Sequence, residues 1–171
     1  FSTRWLESRY DLRPPTVSLY TGFLHNHLIP EVGGVHLSRM RPAHGREYMA
    51  SRKARGVSDT TLRKTMVLAK QILKAAVEEG LIATNPFGPV KLPRQHAREM
   101  RFLTPEQLNN LLESMTPHYC CMVLTAAVLG LRFGEVTGLR PEDLDLLHGQ
   151  VMVTGQLVEW YGKPQRVEPK T

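Results

Sequence analysis

Residues 58–80 carry the feature that most restricts the fold, a long helix with one apolar stripe. Ser58 is a good N-cap residue, and Gly80 suits the left-handed position that ends a helix. The apolar residues between them recur at helical spacing and are Leu62, Ala69, Ile72, Leu73, Ala76 and Val77. A helix of this kind is stabilised by burying its stripe against other elements, so the sequence predicts a helical bundle.

Two further helices are predicted ahead of this one. The first takes Thr16 as its N-cap. Its apolar positions are Val17, Tyr20, Leu24 and Leu28. The second begins at Pro42 or Ala43 and ends near Arg55, where a glycine follows. Residues 1–87 are therefore predicted to form a small helical domain.

Residues 88–101 interrupt the helical pattern. This stretch, GPVKLPRQHAREMR, contains two prolines and several basic residues and shows no sustained periodicity, so a linker is predicted. Helices resume at Thr104, whose hydroxyl can cap a helix beginning at the next residue. A buried helix is then predicted from about Tyr119 to Leu129, where Gly130 closes it.

The end of the chain changes from a helical to a β pattern. A short helix is predicted from Arg132 to Thr137. VMVTGQLVEW, at 151–160, is rich in β-branched and aromatic residues, YGKP is turn-like, and QRVEPKT can return as a partner strand. Residues 102–171 are therefore predicted to form a second domain in which helices precede a β-hairpin.

Positive charge is concentrated in the first half of the chain. The net charge is +6, and residues 1–90 hold 13 Lys and Arg against 7 Asp and Glu, whereas residues 91–171 hold 9 of each. This asymmetry favours a polyanion such as nucleic acid, although a basic surface that only aids solubility gives the same count. The longest nearly apolar run, 119–131, is too short to cross a bilayer. The only two cysteines are adjacent, so a reduced, cytoplasmic setting is expected.

Three segments, in this order, carry a family resemblance. Residues 58–87 end in the pattern A-V-x-x-G-L-I-x-x-N-P, the basic segment KLPRQHAREMRFLTPEQL follows, and AVLGLRFGEVTGL with PEDLDL precedes the predicted strands. The combination resembles the tyrosine recombinases, the family of the phage integrases, over nearly the whole chain. It implies a mainly α fold. A helical core-binding (SAM-like) bundle at 1–87 is followed by a linker at 88–101 and, at 102–171, by the front part of an α+β catalytic domain with a small β-hairpin.

Arg132 is the arginine of the G-L-R-x-G-E block, and the resemblance implies that it grips the scissile phosphate. In-line attack adds negative charge to the non-bridging oxygens, and a guanidinium fork can meet two of them at once. Glu135 follows at a spacing that shares one helix face, and family analogy gives it a role in orientation and charge balance. Judged without its neighbours, Arg132 is more typical of a salt-bridged surface arginine.

Lys170 is the second catalytic candidate that the resemblance implies. In this family a lysine on the hairpin protonates the departing 5′ oxygen, and P-K-T after a strand is a frequent form of that position. Lys163, in the turn YGKP, is the competing candidate and is expected to face solvent.

The family's later motif H-x-x-R, its later His or Trp and its nucleophilic tyrosine lie beyond the lysine, and this sequence ends one residue after Lys170. The tyrosines present are Tyr10, Tyr20, Tyr48, Tyr119 and Tyr161, none at the family's nucleophile position. This chain is therefore expected to bind DNA without forming a phosphotyrosine adduct. The resemblance implies that the intact enzyme works as a homotetramer and clamps duplex DNA between its two domains, without metal, nucleotide or other cofactor and without a membrane.

Contacts with DNA phosphates are predicted from exposed basic residues of the bundle and from hydroxyls in the first turn of its long helix. Arg63, Lys70 and Lys74 share one face of that helix, away from the apolar stripe, although such a face is often only solvated. The predicted contacts are Arg39, Arg41, Arg46, Arg52, Lys53, Arg55, Thr60, Thr61, Arg63, Lys64, Lys70 and Lys74.

Two other functions fit parts of the sequence. ARGVSDTTLRK has the form of the turn and recognition helix of a helix-turn-helix transcription regulator, but its helix is predicted to continue for about six turns, and this hypothesis leaves Arg132 unexplained. A purely structural interaction domain is the third hypothesis, and it predicts no DNA binding. The His and Cys residues lack a recognised zinc spacing, so no metal site is predicted.

Overall fold

The computed structural model describes residues 1–94, 99–160 and 162–169, and the chain divides into two compact units, Phe1–Arg98 and Glu99–Thr171. The first unit is helical. Its elements are α1 (Ser2–Glu7), α2 (Pro14–Phe23), a π-helical turn (Leu24–Leu28), α3 (Ile29–Val32), a 3₁₀ turn (Leu37–Arg39), α4 (Pro42–Ala54) and α5 (Asp59–Glu78).

The second unit combines three helices with two pairs of short strands. Its elements are α6 (Pro105–Ser114), α7 (Pro117–Leu129), α8 (Phe133–Gly138), a 3₁₀ turn (Pro141–Asp143), β1 (Leu144–Asp145), β2 (Gln150–Val151), β3 (Gln156–Trp160) and β4 (Lys163–Val167). Both strand pairs, β1 with β2 and β3 with β4, are antiparallel. The predicted fold class, mainly helical with a small β-hairpin, is confirmed.

Helix α5 is the centre of the first unit, as its apolar stripe predicts. Ser58 caps it, because the Ser58 Oγ accepts a hydrogen bond from the Thr61 backbone N–H at 3.2 Å. Tyr48 of α4 is buried against α5 and donates its hydroxyl to Thr65 Oγ1 at 2.7 Å. The buried apolar residues of α5 are Leu62, Met66, Leu68, Ala69, Ile72, Leu73 and Ala76.

The start of the first predicted helix differs from the prediction. Arg13, in an extended conformation, is the N-cap of α2, and two prolines occupy its first turn, so Thr16 is not the cap. Pro30 does not end the helical path. It lies inside a continuous helical path, because α3 follows the π-helical turn directly, and as a proline it has no N–H to donate to the preceding turn. The Asn26 carbonyl, four residues earlier, accepts a hydrogen bond from Arg52 Nη2 instead.

The first half of the predicted linker is packed onto the bundle. Val90 is 4% exposed and joins the core beside Phe87. Gly45 of α4 leaves the space for both, because a Cβ there would lie 2.9 Å from Val90 Cγ2 and 3.1 Å from a Phe87 ring carbon. Residues near Val90 therefore belong to the packed surface of the bundle, whereas residues 95–98 lie outside the described part of the chain, and the linker at 88–101 stays a prediction.

Helix α6 begins as predicted, whereas α7 ends at the predicted residue, begins two residues earlier than predicted, and lacks the predicted burial. Thr104 and Gln107 form a reciprocal capping box, with 3.3 Å from Gln107 N to Thr104 Oγ1 and 3.0 Å from Thr104 N to Gln107 Oε1. Gly130, at φ +67°, ends α7 in the left-handed conformation. No residue of α7 is buried, and Val128 is 69% exposed. An apolar composition on every face predicted burial, but the described elements of this unit cover only part of the helix.

Helix α8 lies directly on strand β3. A Cβ on Gly134 would lie 2.7 Å from the Leu157 carbonyl oxygen, and one on Gly138 would lie 2.8 Å from Gln156 Cα. Both distances are too short for a side chain, so these two glycines allow the helix and strand backbones to touch. The run 151–160, predicted as one strand, is instead divided between β2 and β3, and Thr154, which lies between them, donates its hydroxyl to Asp143.

None of the helices within 1–94, 99–160 and 162–169 combines the length and apolarity needed to cross a bilayer.

The close contact between α8 and β3 predicts that adding one methyl group at Gly138 destabilises the fold. Gly138→Ala is expected to lower the free energy of unfolding by about 1–3 kcal/mol, because the new Cβ must displace the β3 backbone. Chemical denaturation followed by circular dichroism measures the change. Gly22→Ala, in open space within α2, is the control and is expected to be neutral or stabilising by up to about 1 kcal/mol. Equal losses for the two variants would contradict the proposed close packing.

Candidate functional site

Arg132 is the N-cap of α8 and is locked to Glu135. The Glu135 carboxylate accepts a hydrogen bond from the Arg132 backbone N–H through Oε2 at 2.9 Å and one from Arg132 Nη1 through Oε1 at 2.8 Å. The two side chains differ in exposure, at 76% for Arg132 and 9% for Glu135. A buried carboxylate therefore holds an exposed guanidinium, with the Nε and Nη2 edge of the fork directed away from that bond.

The pKa of Glu135 is lowered, first because its carboxylate accepts a hydrogen bond from the Arg132 backbone and next because it accepts one from the Arg132 side chain. Glu135 is therefore ionised at neutral pH and balances one positive charge. The stabilisation that this depressed pKa provides is present above the ordinary pKa of a glutamate and is lost as pH falls through the lowered value.

The support for Arg132 is short and stiff on both sides. Gly130 ends α7 two residues earlier, and the Leu131 backbone N–H returns to the Ala126 carbonyl at 3.1 Å. On the other side, α8 rests on β3 through Gly134 and Gly138. The guanidinium is thus presented from a fixed backbone rather than from a loop, which is what precise recognition of a phosphate requires.

Lys170 lies outside the described residues, so its geometry relative to Arg132 stays a prediction. The last described part of the hairpin reaches Pro169, and the Glu168 carbonyl accepts a hydrogen bond from Gln156 Nε2 at 2.9 Å. Lys163, the competing candidate, is the first residue of β4 and is exposed, as expected for a turn lysine.

A basic groove lies in the first unit between α4, the start of α5 and the segment 89–93. Its volume is about 610 Å³, and its charged residues are Arg46, Lys53, Lys91 and Asp59. Lys53 is paired with Asp59 at 2.9 Å. Arg46 and Lys91 are exposed and make no hydrogen bond or ion pair within the described part of the chain.

The remainder of the groove is apolar and is formed by Met49, Ala50, Leu62, Pro89, Val90, Leu92 and Pro93. Cations over an apolar floor fit a nucleic-acid backbone, because phosphates meet the charges while sugars cover the floor. Lys91 was not among the predicted contacts. The basic composition of 88–101 could have indicated Lys91 as a contact. Because that stretch was predicted to be a linker, Lys91 was not expected on the surface of the bundle.

Three of the predicted contact residues are engaged inside the first unit. Arg52 is 11% exposed in its side chain and donates from Nη2 to the Asn26 carbonyl. Arg63 Nη1 donates to the Pro93 carbonyl at 3.1 Å, and Lys70 Nζ donates to the Gly88 and Val90 carbonyls at 3.1 and 2.8 Å. These cations donate to exposed or partly buried backbone oxygens, and the shared helix face of Arg63 and Lys70 is a packing face for the segment 88–93.

The other predicted contacts are more accessible. Arg39, Arg41 and Lys64 are exposed, and their side chains have no ion-pair partner among the residues described. Three more are exposed but ion-paired, Lys53 with Asp59, Arg55 with Glu31 and Lys74 with Glu78. Exposed pairs contribute at most about 1 kcal/mol, so a phosphate can replace the carboxylate.

The two threonines at the start of α5 differ. Thr60 is exposed. Thr61 has its backbone N–H and its hydroxyl within hydrogen-bonding distance of Ser58 Oγ, at 3.2 and 3.0 Å. The cap of α5 therefore occupies both Thr61 groups that were expected to face DNA, because the first-turn N–H groups of a helix need a partner whether or not a ligand is bound.

Comparison with known proteins identifies relatives over most of the chain. The integrase of Mycobacterium phage L5 is 31% identical over 144 residues, which cover 84% of this chain and 38% of that protein. The tyrosine recombinase XerC of Chlorobaculum tepidum is 28% identical over 194 residues, which cover 96% of this chain and 56% of that protein. No protein-family model matches the chain.

The fold has a counterpart among solved structures. The Tn1549 transposon integrase, in complex with a circular intermediate DNA, matches with a TM-score of 0.83 and 21% identity over 99% of this chain and 56% of that one. The chain spans 38% of the phage L5 integrase and 56% of the XerC protein. The G-L-R-x-G-E block, the two-unit fold and these relatives agree, and the chain belongs to the tyrosine recombinase family, which includes the phage integrases.

Proposed function

We propose that this chain is part of a site-specific recombinase of the phage-integrase type, that it binds core-site duplex DNA, and that it positions the scissile phosphate for strand cleavage through a 3′-phosphotyrosine. The observation that carries the proposal is the Arg132–Glu135 pair, in which a buried carboxylate fixes an exposed guanidinium. Family membership supports the reaction type, and the Tn1549 integrase, which has the same fold, is bound to a circular intermediate DNA in its solved complex.

The chemistry assigned to Arg132 follows from its hydrogen bonds. Glu135 takes one N–H of Nη1, so the Nε and Nη2 groups can donate together to two non-bridging oxygens of one phosphate. As the tyrosine oxygen bonds to phosphorus and the bond to the 5′ oxygen breaks, negative charge builds on those non-bridging oxygens. Arg132 stabilises that charge, and lysine in its place lacks the planar pair of donors.

Lys170 is proposed as the general acid. Its ammonium donates a proton to the 5′ oxygen as the phosphorus–oxygen bond breaks, so that the leaving strand departs as a neutral hydroxyl. The sequence supports this assignment through the P-K-T pattern after β4. Lys163 opens β4 instead, at the other end of that strand.

The first unit is proposed to hold the DNA backbone in its basic groove, through Arg46 and Lys91 with Lys53 exchanging its carboxylate partner for phosphate. Further exposed contacts are proposed at Arg39, Arg41, Arg55, Thr60, Lys64 and Lys74. Arg52, Arg63 and Lys70 are proposed to stabilise the bundle instead, because backbone carbonyls already occupy them. Assembly into a homotetramer on paired sites is proposed from family membership alone.

A helix-turn-helix regulator is not favoured. Its recognition helix lies exposed in the major groove, whereas α5 runs for 20 residues and buries eight of them in the core of its unit. The regulator hypothesis also gives no role to the Arg132–Glu135 pair.

The basic groove predicts which cations set the salt dependence of DNA binding. The logarithm of the association constant is expected to fall linearly with the logarithm of salt concentration, and Arg46→Ala or Lys91→Ala is expected to lower the slope by about one each. Fluorescence anisotropy on a short duplex over a range of salt concentrations measures the slope. Arg13→Ala removes an exposed cation that does not line the groove and is the control. An equal change for Arg13→Ala would show a response to net charge only.

Arg132 is expected to protect one phosphate. Arg132→Ala is expected to abolish footprint protection at the scissile position of a core-site duplex and to weaken binding about tenfold, the loss of one charge-assisted contact. Arg132→Lys is expected not to restore the protection. Arg140→Ala, which removes an exposed arginine of the same unit paired with Glu142, is the control and leaves the footprint intact. Full protection by the Arg132→Ala protein would remove the phosphate role.

The 171-residue chain by itself is expected to bind this DNA without forming a covalent complex. Tyr48 is buried and bonded to Thr65, and the other tyrosines are not at the family's nucleophile position. A nicked suicide substrate, incubated with the chain and separated on a denaturing gel with SDS, tests this. A protein–DNA adduct that survives SDS, and that Tyr→Phe substitution at one of the five tyrosines removes, would contradict the expectation.

A further inference from the structure

Arg166 of the β3–β4 hairpin forms a hydrogen bond with α8, and its guanidinium packs directly against Gly155. Arg166 of β4 donates from Nε to the Gly138 carbonyl at 3.0 Å and from Nη2 to Asp143 Oδ2 at 3.2 Å. Gly155 makes this possible, because a Cβ there would lie 2.4 Å from the guanidinium carbon. The fork therefore joins β4 to the last residue of α8 and to the 3₁₀ turn that follows it.

Asp143 is the fixed end of this connection. Its side chain is 4% exposed, and it accepts hydrogen bonds from the Arg140 backbone N–H at 2.9 Å and from the Thr154 hydroxyl as well as from Arg166. The pKa of Asp143 is lowered, chiefly because its carboxylate accepts the hydrogen bond from Thr154, so Asp143 is ionised at neutral pH. A buried carboxylate with three donors restrains each donor strongly, because an unmet charge in that position is costly.

Gln156 makes a second connection. It is 8% exposed, and its Nε2 donates to the Glu168 carbonyl at 2.9 Å, beyond the last residue pair of the β3–β4 ladder. On its other side the Gln156 backbone touches α8 at Gly138. One residue thus lies between the helix that begins after Arg132 and the chain two residues before Lys170.

We propose that Arg166, Asp143 and Gln156 are positioning residues for the proposed reaction, and that they keep the chain at Glu168 in register with the helix that presents Arg132. The inference rests on the proposed roles of Arg132 and Lys170. None of the three contacts the phosphate. They fix the chain as far as Glu168, two residues before the proposed general acid, relative to the helix whose N-cap is Arg132.

The test measures the position of residue 168 relative to α8 without DNA. Spin labels are attached at Phe133→Cys and Glu168→Cys, both exposed, in a full chain whose native cysteines are replaced by Cys120→Ser and Cys121→Ser. Electron paramagnetic resonance then gives the distribution of distances between the labels. A single narrow distribution is expected in this reference chain, and one about twofold wider is expected after Gln156→Met or Arg166→Lys, since each variant keeps most of the side-chain volume but loses a donor.

Gln165→Met is the matched control, because Gln165 is an exposed amide on β4 that makes no side-chain hydrogen bond within the described ranges. It is expected to leave the distribution unchanged. Thermal unfolding of each variant separates positioning from general loss of stability, and the comparison is made well below the unfolding midpoint. A broad distribution in the reference chain would overturn the proposal. So would a narrow one in both variants, whatever their stability.

The proposed function and this inference fail separately. The distance measurement needs no DNA, so it can succeed in a chain that fails to bind a core site. Conversely, a chain in which Arg132 protects the scissile phosphate but Gln156→Met leaves the distances unchanged retains the proposed function and loses the positioning role.

Discussion

The backbone contact between α8 and β3 is the constraint on which the second unit depends. Gly134 and Gly138 let a helix and a strand approach until there is no room for a side chain between them. That contact fixes the helix whose N-cap is Arg132 and the strand from which Gln156 reaches Glu168. The Arg132 guanidinium and the end of the hairpin are thereby attached to the same short piece of structure, which is an arrangement that the proposed phosphoryl transfer needs.

The first unit uses its positive charges in two ways. Arg52, Arg63 and Lys70 donate to backbone carbonyls, and the last two hold the segment 88–93 against α5. Arg46 and Lys91 make no such hydrogen bond within the described residues, and both line the basic groove. The positive charge of this half is thus divided between cations that hold the bundle together and cations that stay exposed at the basic groove, and the proposed salt dependence of DNA binding rests on the second set.

Local signals predicted the elements well where one residue decides the outcome. Ser58 and Thr104 cap their helices, Gly130 ends α7 in the left-handed conformation, and β4 begins at Lys163, directly after the predicted turn residue Gly162. Burial was predicted less well. The uniformly apolar α7 is exposed on much of its surface, and Val90, in a stretch without periodicity, is in the core. Periodicity reports which residues can be buried, whereas the neighbours available in space decide which ones are.

The sequence by itself determined the helical class, the caps at Ser58 and Thr104 and the pairing of Arg132 with Glu135, because each of these depends on residues within a few positions of one another. It also determined the family resemblance, through three segments in a fixed order. Only the tertiary structure decided which cations are free of partners among the described residues of the first unit and how the hairpin is held. Arg63 and Pro93, or Arg166 and Asp143, are more than 20 positions apart, and their contacts exist only after the chain has packed. The sequence therefore determines which groups each side chain carries, whereas the packing of the chain determines which groups it contacts.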